Sequence, residues 1–392
     1  MEGGSPQLSR VLSFKDLLLF GVASIMGSGG FNLIGDGIIT GGPWFAAALA
    51  AVSALFQGVS HSYEVAYKAF RTNTSESDLV KKEFGEVASS ISSITILAFN
   101  ILSISTILVI CSKLLFPKGT WSGQIGFALC ILTLMSGFSL QGIDVNKGII
   151  GFFGASIIAL LLFASTIGLV EAGVYGIPTK APTALHANPP NLVKSVLYFF
   201  FVLAGFDTVI KLSEEAKKPD SDVPRSFYIS NALSTLLVVG VCFAFLMVFS
   251  THHFQENENI IARIVDSMLG PQAGAAAGFL SIILMIATGF VCFLATSRYM
   301  YGLGKEIPAL AWLTNLNGKK VPWKSVILTT VVAAVGIVIN NVYTLVKISD
   351  IGLTLTMLLV TAAAWKRGAS PLIEGATTLG LLAVLSFCCL PS

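Results

Sequence analysis

The chain has 392 residues, of which 54% are hydrophobic and only 11% charged, a balance that excludes an ordinary soluble globule and points to an integral membrane protein. Its net charge of +3 comes from few charges in total, without a long basic or acidic run, so no nucleic-acid partner is expected. Six cysteines (Cys111, Cys130, Cys242, Cys292, Cys388 and Cys389) lie in or beside apolar runs. They show no disulfide or zinc spacing and are expected as reduced core residues, with no metal site and no cofactor.

The first residues, "MEGGSPQLSRVLSFKD", carry acids and lack a short apolar region with a small-residue cleavage site, so the first apolar segment is expected to stay in the protein. A hydrocarbon core about 30 Å thick needs roughly 20 apolar residues per spanning helix. Eleven windows of that kind follow in chain order: 17–39, 42–66, 87–112, 122–141, 148–170, 194–214, 226–250, 273–303, 324–343, 349–365 and 372–390. With the N-terminus on the cytoplasmic side, 18 of the 24 lysines and arginines, Lys211 among them, fall in cytoplasmic segments, as the retention of basic loops requires. The longest loops, near 67–86, 171–193 and 304–323, leave no room for a soluble domain, so function must be built from the helices.

Two windows contain breaks. In "GVASIMGSGGFNLIG" the residues Gly27, Ser28, Gly29 and Gly30 stand together at mid-span, where each glycine costs about 1 kcal/mol relative to alanine in a helix. In "FFFVLAGFD" Ala204 and Gly205 precede a carboxylate, Asp207. A non-helical backbone at membrane depth is tolerated only inside protein or beside a wet cavity. The two breaks fall in windows one and six, matching positions of two five-helix halves, which is the pattern of an inverted-repeat transporter with its site between the halves. Freed N–H groups would attract a carboxylate and freed carbonyls an ammonium, and an amino acid has both. Asp207 either faces the cavity or caps the lower half-helix. Glu64, at the end of window two, is expected to reach water or Lys68. His61 shares a helix face with Glu64, but two ligands make no metal site.

The residues of these segments resemble the amino acid/polyamine/organocation superfamily of amino acid permeases. "SIMGSGGF" is similar to that family's first-helix G-S-G-I-F signature. "FFFVLAGFDTVIKLSEEAKKPDSDVPRS" is similar to its sixth-helix pattern, through Gly205, Phe206, Asp207, Glu214, Glu215, Lys217, Pro219, Pro224 and Arg225, with Lys218 in place of an Asn. "TSRYMYGLGKEIPALAWLTNLNGKKVPWKSV" looks like the segment after the eighth helix.

The resemblance implies an all-α, leucine-transporter-type bundle of five plus five inverted-repeat helices, about eleven transmembrane helices in all. The expected domain is a single one over 1–390, with repeats at 12–170 and 190–368 and an additional helix over 369–392. It implies a secondary transporter of amino acids or related amines, not an enzyme. Ser24, Ile25, Gly27, Ser28 and Gly29 would bind the substrate's carboxylate side, Ala204 and Gly205 its ammonium, and Phe201 would be the aromatic gate, with Asp207 beside them.

The chain departs from many members in lacking a twelfth helix and a lysine well inside helix five. Thr288 in helix eight is a candidate sodium ligand, and proton or sodium coupling stays open. Polyamine transport, or a non-transporting sensor or subunit that kept the fold, are the other readings.

Overall fold

The computed structural model describes residues 8–29, 31, 33–175, 189–249 and 259–389. Residues Gly30, Asn32 and most of the expected loop at 171–193 lie outside that set, as do the side chains of Gly27, Ser28 and Gly29.

The helices follow the apolar windows. α1 (Phe14–Gly29) and α2 (Leu33–Gly41) share the first window, and neither alone is long enough to cross a bilayer. α3 (Phe45–Phe70) is followed by a short helix α4 (Ser75–Phe84), then by α5 (Glu86–Leu115), α6 (Trp121–Ser139) and α7 (Ile143–Tyr175). The sixth window is again split, into α8 (Pro189–Leu203) and the single-turn α9 (Thr208–Lys211). Beyond it come α10 (Pro219–Phe249), a short α11 (Ile260–Leu269), α12 (Pro271–Glu306), α13 (Trp323–Ile339), α14 (Val342–Lys366) and α15 (Pro371–Cys389). Among the described residues, nine helical stretches are long and apolar enough to span, and α13 is a shorter apolar helix of 17 residues.

Two short helices were not visible as spans. α4 fills part of the expected loop at 67–86. α11 lies between windows seven and eight and buries Ile260, Ile261, Ile264 and Val265 along one stripe, an amphipathic pattern too short for a bilayer-length window. The expected core role of the cysteines holds for Cys111, Cys242, Cys292 and Cys388, all free and buried. Cys130 is corrected: it is exposed on α6, whose outer face also shows Leu134 and Phe138.

α1, α9 and α12 pack together in the middle of the bundle, with α5 and α10 beside them. The bundle has one end rich in lysine and arginine, here the basic end. There the chain before α1 runs alongside the segment after α9. Val11 N and Leu12 N donate to Glu215 O at 2.9 Å, and Lys217 N donates to Leu12 O at 2.8 Å.

Candidate functional site

The break in the sixth window lies against the helical backbone of α1. Gly205 has φ +104, a left-handed conformation that glycine adopts without a Cβ penalty. A Cβ placed there would come within 2.9 Å of the Ser24 carbonyl oxygen and 3.0 Å of its hydroxyl. The broken sixth window thus presses its backbone directly on the last turns of α1, and only a hydrogen fits between.

Neutral hydrogen bonds hold this junction. The Ser24 hydroxyl lies 2.6 Å from the Thr208 hydroxyl and 3.5 Å from the Cys292 sulfur. Thr288 donates to the Ala23 carbonyl at 2.7 Å, which ties α12 to α1 one residue before Ser24. Ile25, Phe201 and Ala204 are all buried nearby in the same apolar core. The Gly205 carbonyl accepts from Thr208 N at 3.2 Å, so the turn is partly closed on itself. Helix α1 runs through Gly29, and the interruption falls between Gly29 and Leu33 rather than at the centre of the glycine cluster. Tertiary packing overrides the low helix propensity of the glycines for one further turn.

Asp207 occupies the N-cap position of α9, but its side chain makes no capping bond. It pairs instead with Lys211, one turn later, and both side chains are fully buried. Lys211 also donates to Asn100 Oδ1 of α5 at 2.9 Å, and its ammonium lies 5.7 Å from the centre of the Tyr299 ring. This corrects the reading of Lys211 as a loop cation. α9 is a single turn, so the residue that the sixth window placed at its edge is still inside the protein. The i, i+4 spacing of Asp207 and Lys211 was the available signal, since such residues meet on one helix face. Asp207 Oδ1 has no hydrogen-bond partner.

A second carboxylate sits near this pair. Glu76 of α4 is fully buried, and neither of its oxygens has a hydrogen-bond partner. Burial pushes its carboxyl up to about 8, with the Lys211 ammonium pulling the other way and the Asp207 carboxylate adding to the rise. Sequence reasoning missed Glu76 because α4 reads as a charged loop. It also missed Tyr63 of α3, whose hydroxyl is buried, has no partner, and lies within electrostatic reach of Asp207 and Glu76.

Phe206 packs edge-on to Phe56, Tyr63 and Phe227, at 5.4, 5.2 and 5.3 Å between ring centres, and so fixes the turn that carries Asp207.

At the basic end, Arg298 of the S-R pair is fully buried and contacts Glu215 at 3.4 Å through two of its nitrogens. Burial raises the Glu215 carboxyl, and Arg298 opposes that rise. Lys305 meets Glu214 at 2.6 Å. Asn73 accepts from the Ser213 hydroxyl at 3.1 Å and from Glu214 N at 3.0 Å, and Thr74 donates to Glu306 at 3.1 Å. These contacts shut the basic end. At the opposite end a cavity of about 360 Å³ is lined by Leu33 and Asp36 of α2, Ile110 and Lys113 of α5, and Val342 of α14.

Glu64 meets Lys68 at 2.7 Å and accepts from Tyr228 at 2.8 Å, as a surface-linked acid. His61 turns away from Glu64 to Glu374, at 2.9 Å. No group of three metal-ligating side chains occurs among the described residues.

A family model described as "Amino acid permease" matches residues 12–390. The chain belongs to the amino acid permease family. Its relatives are transporters, and the family is not enzymatic. The permease is similar to the low-affinity putrescine importer PlaP of Escherichia coli (strain K12), with 25% identity over 196 residues covering 46% of this chain and 41% of that protein. The aligned region therefore spans about two fifths of that importer's length. It is also similar to the branched-chain amino acid permease BcaP of Bacillus subtilis (strain 168), with 22% identity covering 77% of this chain and 69% of the other. Among solved structures, MhsT in complex with L-phenylalanine matches with a TM-score of 0.68 and 14% identity, over 98% of this chain and 100% of that one. The permease is thus a multi-pass membrane protein with the leucine-transporter-type fold.

Proposed function

We propose that this permease is a secondary transporter of an amino acid or related amine, working by alternating access, with the substrate held where the two broken spans meet. The single observation that carries this reading is the approach of Gly205 to Ser24, which brings the break in the sixth span onto the backbone of α1 near the end of that helix, where one small zwitterion would meet both spans. In this reading the last turn of α1 (Ser24, Ile25, Gly27, Ser28 and Gly29) takes the carboxylate side and Ala204 and Gly205 take the ammonium. Phe201 closes over the substrate. Thr288 is the hydroxyl available to a sodium ion, at the cost of its bond to Ala23.

The repeats run over 12–170 and 190–368, with an additional helix over 369–392. The basic end faces the cytoplasm, as the retention of positive loops requires. The shut basic end and the cavity beside Leu33 then correspond to a state with access from the outer side.

The test is a competition panel on protein reconstituted in liposomes. Radiolabelled L-leucine, L-phenylalanine, L-arginine and putrescine are offered with and without sodium and a pH gradient. Saturable exchange of at least one label is expected, and its competitors define the substrate class. Binding without flux would remove the transporter reading in favour of a sensor or subunit that kept the fold.

A further inference from the structure

We propose that Glu76 is a proton-binding site that couples substrate movement to a proton gradient. This rests on the transport reading above and names the ion that reading leaves open.

Asp207 and Lys211 neutralise each other in a fully buried pair, and Glu76, equally buried, is left without a counter-charge of its own. An unpaired carboxylate away from water is so costly that the group takes up a proton instead. The other titratable groups around it do not supply the missing positive charge. Tyr63 of α3 and Tyr299 of α12 are both within its electrostatic reach and both neutral as phenols. Asp78, on the same helix, is an acid held by the Thr72 and Thr74 hydroxyls. α12 adds a further acid, Glu306, which accepts from Thr74. From α14, Lys366 is spent at the far end of α4, on the Glu83 carbonyl. From α5, Ser93 reaches Ser77, and Asn100 is spent on Lys211.

Unsatisfied buried groups share the neighbourhood of Glu76. The Glu76 oxygens, the Tyr63 hydroxyl and Asp207 Oδ1 are all buried without hydrogen-bond partners, and Tyr63 lies within electrostatic reach of both carboxyl groups. Buried polar atoms are normally paired, so three unpaired groups in one buried neighbourhood call for a mobile occupant. Asp207 is two residues from Gly205, where the broken spans touch. Tyr63, within electrostatic reach of both Asp207 and Glu76, is the hydroxyl through which a proton from the junction side reaches Glu76.

The contacts that shut the basic end are made by Asn73 and Thr74, immediately before Glu76, and the Ser77 hydroxyl just after it lies 2.5 Å from that of Tyr299. When the contacts of Asn73 and Thr74 part, Glu76, two residues beyond Thr74, is opened toward the basic end. Water then stabilises its charged form, and the proton leaves to the basic side together with the substrate.

The test uses the full chain in liposomes with L-leucine or putrescine as the labelled probe, and compares wild type with Glu76→Gln. Wild type is expected to accumulate label against its gradient when the outside is acidic and to acidify the lumen, read by a trapped pH dye. Glu76→Gln is expected to keep exchange at equal pH while its pH-driven accumulation collapses to equal concentrations on both sides. Accumulation at the wild-type level in Glu76→Gln overturns the proposal.

Infrared titration of the purified protein is a second arm that needs no transport. It is expected to show a protonated carboxyl band that falls on raising the pH through about 8, and that band should be smaller by one carboxyl in Glu76→Gln. An identical band in both proteins overturns the site. Absence of exchange by wild type with all labels strikes the transport reading, and the infrared arm then decides the proton site by itself.

Discussion

The two breaks in this permease solve one problem in opposite ways. In the first span the chain uses small residues, and its junction is held by neutral hydroxyls: Ser24 against Thr208, and Thr288 against the Ala23 carbonyl. In the sixth span the turn is followed by a buried ion pair, Asp207 with Lys211, flanked by a third charge-bearing group in Glu76. The contact with α1 is close and neutral, whereas the turn just beyond the sixth break is charged. A hydroxyl junction loses little when one partner is removed. A buried charge left without its partner is severely penalised.

The largest effect should therefore come from the sixth span. Lys211→Met leaves Asp207 and Glu76 as buried acids with no base, and breaking a buried pair by removing one partner costs about 3–5 kcal/mol. Sharply reduced thermal stability in detergent is expected. The double substitution Asp207→Asn with Lys211→Met should recover much of the loss, because it removes both charges together. Equal damage in the single and double variants would mean that packing, rather than charge, sets the value of this pair.

Next comes pH. The Glu76 carboxyl is raised in the folded protein to about 8, so the folded state holds a proton that the unfolded chain gives up at its ordinary, lower carboxyl value. Its contribution is fully present below that ordinary value and is lost as pH rises through about 8. Glu215, also raised by burial, contributes in the same direction. The melting temperature should fall between pH 5 and pH 9, and Glu76→Gln should flatten that fall. A wild-type profile that rises over the same range would contradict the assignment.

The smallest effect belongs to the first span. Ser24→Ala removes the hydroxyl contact to Thr208 and should cost about 1 kcal/mol, the net worth of an ordinary hydrogen bond. A loss as large as that of Lys211→Met would erase the contrast between the two breaks.

The legibility of these features in the sequence follows the same division. Apolar length revealed the spans, a glycine cluster pointed to the first interruption and an Ala-Gly pair to the second, because these signals depend on composition along a short stretch. The contact between Gly205 and Ser24 joins residues far apart in the chain, and only the positions of the breaks in matching halves hinted at it. Lys211 was misread because a window of mean apolarity places a terminal lysine in the loop, although a single turn of α9 keeps it inside. Glu76 was hidden for a related reason: α4 is a polar ten-residue helix, and nothing in "SESDLVKKEF" says that its first half is buried beneath α3, α5 and α14. Asp207 was placed correctly at the start of the lower half-helix, yet neither role considered for it, cavity or cap, included its pairing with Lys211.

The measurement that bears most directly on the central claim is exchange of labelled L-leucine or putrescine by liposomes containing wild type or Gly205→Leu, with the folded fraction of each checked by size-exclusion chromatography. A side chain at Gly205 would intrude on the Ser24 backbone, where a Cβ alone comes within 2.9 Å. Saturable exchange by wild type is expected, and its loss in Gly205→Leu when the rate is taken per amount of folded protein. Exchange by Gly205→Leu at the wild-type rate would contradict a substrate site at the junction of the two breaks.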